Sequence, residues 1–360
     1  MNKTNNIKRL KDRKRGFATL ENINQNCYMN CIIQCLSNDY RFCHFLRKQK
    51  TNLNDQDSES SDNEYDEFFA STLYNEQNKI FINFSNLLRE MWRKNLNYIP
   101  NTFYRNFLKK YPYYLPNQQH DARDFLFDLL NEMHISLEKK CVEIETSKHS
   151  SRHFLNSLKE WRSYFDNKKS YISDNFYGQY IKSFTCQLCG NCYYKYDPFL
   201  MITIDNKDGN ITDLINESMM LDVINGECEK CKTENIIDED TPDYLKNIEH
   251  LVDTSIYKLP NTLIVCIKSI NKTLTPMVKI SETLDLYKKV ISNTDESVEY
   301  QLDSIVYHQG HSIENGHYYM VSLRNDEYNL FNDNEKINNI DIKEIKDNPY
   351  LIFYSKMKSK

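Results

Sequence analysis

Residues 21–36, ENINQNCYMNCIIQCL, change character at Cys27, where a polar, asparagine-rich loop gives way to an apolar run that reads as a helix. A thiol at such a junction meets orphan backbone N–H groups and the positive end of the helix dipole, both of which favour thiolate. Cys27, Cys31 and Cys35 recur every four residues, which is also how small core residues line one helix face. The preceding loop singles out Cys27, because an Asn amide there can donate to a developing oxyanion.

Upstream, residues 1–15 are polar, with six basic side chains in Lys8–Arg15. They read as a solvated disordered tail, with a nuclear import signal as the alternative. Residues 51–67, TNLNDQDSESSDNEYDE, hold seven acidic side chains and almost nothing apolar, and read as a disordered insertion. Apolar periodicity returns over 76–99, where Ile80, Phe84, Leu87, Leu88 and Met91 share a helical face. After Pro116, Ala122, Phe125, Leu126, Leu129, Leu130, Met133 and Leu137 keep the i, i+3, i+4, i+7 rhythm of a packed helix. The stretch 138–170 is helical and less legible.

Beyond Gly178 the period falls towards two. SFTC, CYYKY, FLMITI, TLIVCIKSI, YQLDSIVYH, GHYYMVSLR, EYNLFN and YLIFY read as strands broken by Gly, Asn and Asp turns. Helices in the first half and strands in the second predict an α+β fold, without internal repeats. The expected organisation is one domain over 16–356: a helical part 16–175, a middle part 176–265 and a β-rich part 266–356.

The chain has 360 residues, 40% of them apolar, with 26 Tyr and 18 Phe, enough for a substantial core and against wholesale disorder. Its net charge of −5 offers no basic excess for nucleic-acid binding. The longest apolar runs, such as Leu263–Ile267, fall far short of the roughly 18–20 residues of a membrane span. The N-terminus has no apolar segment behind its basic residues, so no secretory signal is expected. Eleven Cys in an unsecreted chain point to free thiols, metal ligands or catalysis. The expectation is a soluble intracellular monomer, cytoplasmic with the nucleus as an alternative, that binds neither nucleic acid nor membrane.

Cys186-x-x-Cys189 and Cys228-x-x-Cys231 are two knuckles 39 residues apart. Together they supply the four thiolates of a tetrahedral zinc shell, which leaves no open position for water and is therefore structural. Strand-like sequence between them predicts a β-ribbon whose ends return to each other. Cys192 is a nearby alternative to Cys189, and no βαβ pattern supports a redox CxxC. No organic cofactor is expected. Asp197, Asp205, Asp208, Asp213, Glu217 and Asp222 fill the gap and would repel phosphates, against a nucleic-acid zinc ribbon.

A free thiol with a pKa near 8.5 is only a few per cent thiolate at neutral pH, so a cysteine nucleophile needs a base. His308, His311 and His317 lie close together. His317 follows Gly316 and opens the strand HYYMVSL; downstream, EYNLFND ends in Asn332 and Asp333, either able to hold the imidazole in the correct tautomer.

Taken together these motifs resemble the ubiquitin-specific protease family of deubiquitinases, from about residue 16 to 354. The family's Cys box, Asn-Leu-Gly-Asn-Thr-Cys-Tyr-Met-Asn, is similar to Asn22-Ile23-Asn24-Gln25-Asn26-Cys27-Tyr28-Met29-Asn30. Gln119-His120-Asp121-Ala122-Arg123-Asp124-Phe125-Leu126 resembles its Gln-Gln-Asp-Ala-x-Glu-Phe-Leu helix motif, and the two knuckles resemble the zinc site of its fingers subdomain. His308-x-Gly310, Gly316-His317-Tyr318 and Phe331-Asn332-Asp333 resemble its His box, and Tyr350–Tyr354 its last core strand. The chain departs from the pattern at Asn24 (usually Gly), Asn26 (usually Thr), Lys268-Ser269-Ile270 (usually Lys-Arg-Phe) and Tyr328 (usually Trp). Asn adopts left-handed backbone more readily than most residues, which suits Asn24 to the glycine position.

The resemblance implies a papain-like cysteine peptidase with fingers, palm and thumb, hydrolysing the isopeptide or peptide bond after the terminal glycine of ubiquitin. Cys27 would be the nucleophile, His317 the general base, Asn332 the orienter with Asp333 as its rival, and Asn22 the oxyanion donor. Asp121 and Asp124 would face the basic ubiquitin tail, or else stabilise the helix dipole. Zinc would stiffen the fingers, and the partners would be ubiquitin and ubiquitinated proteins. The altered loop leaves a weakly catalytic ubiquitin-binding scaffold as one alternative, and a protease for another ubiquitin-like modifier as a second.

Overall fold

The computed structural model describes residues 16–48, 78–142, 151–234, 236, 241, 247–268, 278–291, 297–312 and 315–357. The basic tail, the acidic insertion 51–67, and Ser269 and Ile270 lie outside them. The helices are α1 (Cys27–Asn38), α2 (Tyr40–Lys48), α3 (Lys79–Arg93), α4 (Asn101–Lys110), α5 (Ala122–Leu137) and α6 (Arg152–Tyr164). The strands are β1 (Gly178–Cys186), β2 (Cys192–Phe199), β3 (Met201–Asp205), β4 (Asp222–Gly226), β5 (Ile248–Lys258), β6 (Thr262–Lys268), β7 (Glu299–Ser312), β8 (Asn315–Arg324), β9 (Glu327–Asn332), β10 (Glu335–Ile337) and β11 (Asn348–Lys356), apart from several short pieces. Helix precedes sheet along the chain, as the α+β expectation has it.

Contacts divide the chain into two units. The first draws its described residues from 16–137 and 302–355. It carries α1–α5 and a sheet in the order β10-β9-β8-β7-β11, in which β7/β8, β8/β9 and β9/β10 are antiparallel. α1 lies against β8 and α5. All of α1 is buried, including polar residues that a solvent-facing stripe would expose. Their groups are satisfied far along the chain: Gln34 Nε2 donates to Ala18 O at 2.7 Å, and Asn38 Nδ2 to Asp303 O at 3.0 Å. Buried amides without such acceptors would cost roughly 1–3 kcal/mol each. On α5 the buried residues include the whole predicted stripe together with Glu132, whose carboxylate accepts from Lys110 Nζ at 2.7 Å and Tyr111 OH at 2.6 Å.

The second unit draws on 138–268 and 278–301, with Lys356 and Met357. A four-stranded antiparallel ribbon in the order β2-β1-β5-β4 dominates it, with β3 and β6 forming a parallel pair. In the ribbon, His250 of β5 stands opposite Cys186 on one side and Ile224 on the other. That register brings the end of β1 and the end of β4 to the same place.

Candidate active site

Cys27 is the first residue of α1 and 1% exposed. Its backbone N–H belongs to the first turn, where no intrahelical carbonyl is available. The loop before it folds on its own amides: Asn26 Oδ1 accepts from Ile23 N at 2.9 Å, and Asn22 Oδ1 accepts from Asn26 N at 3.0 Å. The left-handed residue of this loop is Gln25, with φ 57°, not Asn24. The glycine-like position therefore sits one residue later than the sequence suggested.

His317 stands on β8. Its Nε2–H donates to Asn332 Oδ1 at 2.6 Å, which fixes the tautomer and leaves Nδ1 available to the Cys27 sulfur. The neighbouring Cys27 raises the His317 pKa most. Burial opposes it, while Asn332 and the charges of Cys27 and Asp333 add to it, and the result is about 9. Next along the strand, Tyr318 N–H points at Cys27 Sγ, 3.5 Å away. Burial pushes the Cys31 and Cys35 thiols up, as befits core residues.

Of the two candidates for orienting the imidazole, Asn332 bonds it and Asp333 bonds elsewhere. Asp333 Oδ2 is 3.8 Å from the imidazole, and its carboxylate instead accepts from Asn22 Nδ2 at 2.9 Å and Asn30 Nδ2 at 2.7 Å. Tyr104 OH in turn donates to Asn30 Oδ1. One proton of the Asn22 amide is thereby committed to Asp333, leaving the other for a ligand. Of the other histidines, His308 is pushed below its ordinary pKa mainly by burial and packs against Tyr318 at 4.5 Å between ring centres; it does not join this cluster. The side chain of His311 is outside the described residues.

Asp121 is 9% exposed; Oδ1 accepts from Arg123 N at 2.8 Å and Tyr350 OH at 2.6 Å, and Oδ2 lies 3.3 Å from the Arg123 guanidinium. Asp124 is the more exposed carboxylate, its side chain 61% exposed, and its Oδ1 pairs with the Arg123 guanidinium at 3.3 Å. Sequence reading passed over Gln119 in the same motif. Its amide bonds both backbone groups of Gly316, accepting from N–H at 2.6 Å and donating to C=O.

In the second unit, Cys186, Cys189, Cys228 and Cys231 bring their sulfurs within 4.8 Å of one another. Cys186–Cys231 and Cys189–Cys228 are 3.8 and 3.7 Å apart, close to the edge of about 3.8 Å that a tetrahedron of 2.3 Å metal–sulfur bonds would have. Two tight turns aim them: Gly190, with φ 69°, closes the first knuckle, and the short helix Glu229–Thr233 begins just after Cys228. Ile248 packs beside the sulfurs. Cys192 is exposed and outside the group, so Cys189 keeps its place. This cluster can hold a metal ion.

A helix-borne cysteine, a strand-borne histidine and an asparagine on the neighbouring strand define the papain-like class of cysteine peptidase fold. The ubiquitin carboxyl-terminal hydrolase family model matches residues 18–354, and the chain belongs to that family. Ubiquitin carboxyl-terminal hydrolase 2 of Rattus norvegicus is 26% identical over 94% of this chain and 54% of its own length. Ubiquitin carboxyl-terminal hydrolase Usp2 of Drosophila melanogaster is 25% identical over 90% of this chain and 33% of its own. The chain thus spans about half, or less, of these relatives. Among solved structures, the SAGA DUB module Ubp8/Sgf11/Sus1/Sgf73 bound to monoubiquitin shares the fold, with a TM-score of 0.69 and 17% identity over 97% of this chain and 71% of the other. A yeast SAGA DUB module structure gives 0.67 and 19%, over 97% and 70%. Among the described residues, no helix is long and apolar enough to cross a membrane.

Proposed function

We propose that this chain is a thiol-dependent deubiquitinase, hydrolysing the bond that follows the C-terminal glycine of ubiquitin on conjugates or chains. One observation carries the reading: the histidine that bonds the Asn332 amide oxygen stands on the strand whose next N–H, that of Tyr318, points at the sulfur of the helix-start cysteine 3.5 Å away. In this mechanism the Cys27 thiolate, paired with the His317 imidazolium, attacks the glycine carbonyl carbon and the π electrons pass to oxygen. The Cys27 backbone N–H and the free Asn22 amide proton face that oxyanion; losing one such donor typically costs about 10²–10³ in rate. His317 gives its proton to the departing lysine amine as the C–N bond breaks. Water, deprotonated by the same imidazole, then cleaves the thioester and restores the thiolate.

Asp124, with Asp121 behind it, supports a place for the basic ubiquitin tail. The sulfur spacing and all-thiolate donor set favour zinc as the ion held by Cys186, Cys189, Cys228 and Cys231. When bound, it would cross-link the two knuckles and take no part in the chemistry. The ribbon they join is our candidate for the fingers, within one catalytic domain over 16–356. Cytoplasm or nucleus is the compartment we assign, with ubiquitin and its conjugates as partners. The test is release of a fluorophore from the ubiquitin C-terminus. Wild type is expected to turn over, with Cys27→Ala inactive and His317→Ala at least about 10³-fold slower; a wild type that binds ubiquitin without turnover would make it a scaffold.

A further inference from the structure

β8 runs past the end of its neighbour. The β8/β9 register pairs Met320 with Phe331, and continued it would set Asp333 beside Tyr318 and Glu335 beside Gly316. Neither is available there. Asp333 turns left-handed at φ 52°, and Glu335 folds back to pair with Asn332. The strand that carries His317 therefore presents unpaired ladder groups on both sides of the histidine. Tyr318 N–H points at Cys27 Sγ. The N–H and C=O of Gly316 are both taken by the side-chain amide of Gln119, which has the donor–acceptor pattern of a peptide group and acts as a single residue of a missing strand.

Nothing bulkier than glycine fits at the clamp. A Cβ on Gly316 would lie 2.3 Å from His308 Nε2 and 2.7 Å from Gln309 O. The segment that supplies Gln119 is anchored in turn. Asn117 N–H donates to Asn24 O in the loop before Cys27, at 3.2 Å. His120 sits edge-on to Tyr28 and Tyr114, with ring centres 5.5 and 5.1 Å away. Within Asn117–Gln119, one bond goes to the nucleophile's loop and a pair goes to the base's strand.

We infer that Gln119 is a positioning residue of the thiol site, its amide locking the Gly316 peptide so that His317 stays in register with Cys27 and Asn332. The inference rests on the proposed hydrolase reading for its kinetic consequence but not for its geometry. Without the clamp the Gly316 peptide loses both of its bonds to Gln119, and the imidazole swings off line. A misplacement of about 1 Å costs about 10²-fold in rate.

The experiment measures kcat and KM on the ubiquitin–fluorophore conjugate for wild type, Gln119→Ala and Gln119→Glu, beside iodoacetamide alkylation of Cys27 from pH 5 to 9. For Gln119→Ala the expected result is a fall in kcat of about 10–10²-fold with KM within a factor of about three, and slower Cys27 alkylation at neutral pH. For Gln119→Glu the ionised carboxylate faces the Gly316 carbonyl, whereas the protonated acid restores both bonds. Its rate relative to wild type should therefore rise as pH falls towards 5, which a general loss of packing would not produce. Unchanged kcat and alkylation, or a rise in KM alone, would overturn the inference, as would a flat Gln119→Glu ratio. If Gln119→Ala does not fold, the Gln119→Glu ratio decides. If wild type is inert towards ubiquitin, the proposed function falls, and the alkylation profiles still decide the clamp.

Discussion

The His317 imidazole carries the pH dependence of this site. Its pKa is raised to about 9, above the ordinary 6.5, so the protonated form persists through neutrality and is lost as pH climbs through 9. Stability that the folded state gains from this group is complete below 6.5 and fades between 6.5 and 9. The basic limb of kcat/KM is expected near pH 9. Asn332→Ala removes one of the raising hydrogen bonds, so its limb should move to lower pH while kcat falls on the order of 10²-fold; a pH–rate profile reads both, and an unmoved limb would count against Asn332. Cys27 and His317 were legible because each sits at a junction in the sequence: loop to helix for one, glycine to strand for the other. The division of labour between Asn332 and Asp333 was not, since neighbouring residues at a strand end point apart and the left-handed turn at Asp333 leaves no mark in the sequence. Gln119 was less legible because it stands beside Asp121 and Asp124, whose charge is the more conspicuous feature of the motif. The usable signal was an amide, able to pair like a peptide group.

Among the elements, α5 was the most legible, its buried face holding the whole apolar stripe with only Glu132 added. Leu129 is fully buried on it and Phe127 is 45% exposed. Leu129→Ala should cost about 2–5 kcal/mol in urea denaturation, against about 0.5 kcal/mol or less for Phe127→Ala; equal effects would place α5 wrongly. α1 was less legible, because Asn30, Gln34 and Asn38 look solvent-facing by periodicity and are buried through acceptors up to 303 residues away. The two knuckles could be paired from spacing alone, but their convergence depends on the register of β1, β5 and β4. Cys228→Ser should abolish the bound metal measured by elemental analysis, about one ion per chain in wild type, and lower the melting temperature. A variant that keeps both would remove the metal from the account.

At the scale of the molecule, a helical first half and a stranded second half were enough to read an α+β fold. The two units were not foreseeable, because the first is drawn from residues 16–137 and 302–355, and contacts joining distant segments have no local signature. That same long-range closure puts Cys27, His317 and Asn332 in one place. The most direct measurement is covalent labelling by a ubiquitin probe bearing a C-terminal thiol-reactive group, with the modified peptide mapped by mass spectrometry. The account predicts one adduct, on Cys27, forming at least about 10³-fold more slowly in His317→Ala. An adduct on another cysteine, or a His317→Ala protein that labels as fast as wild type, would contradict it.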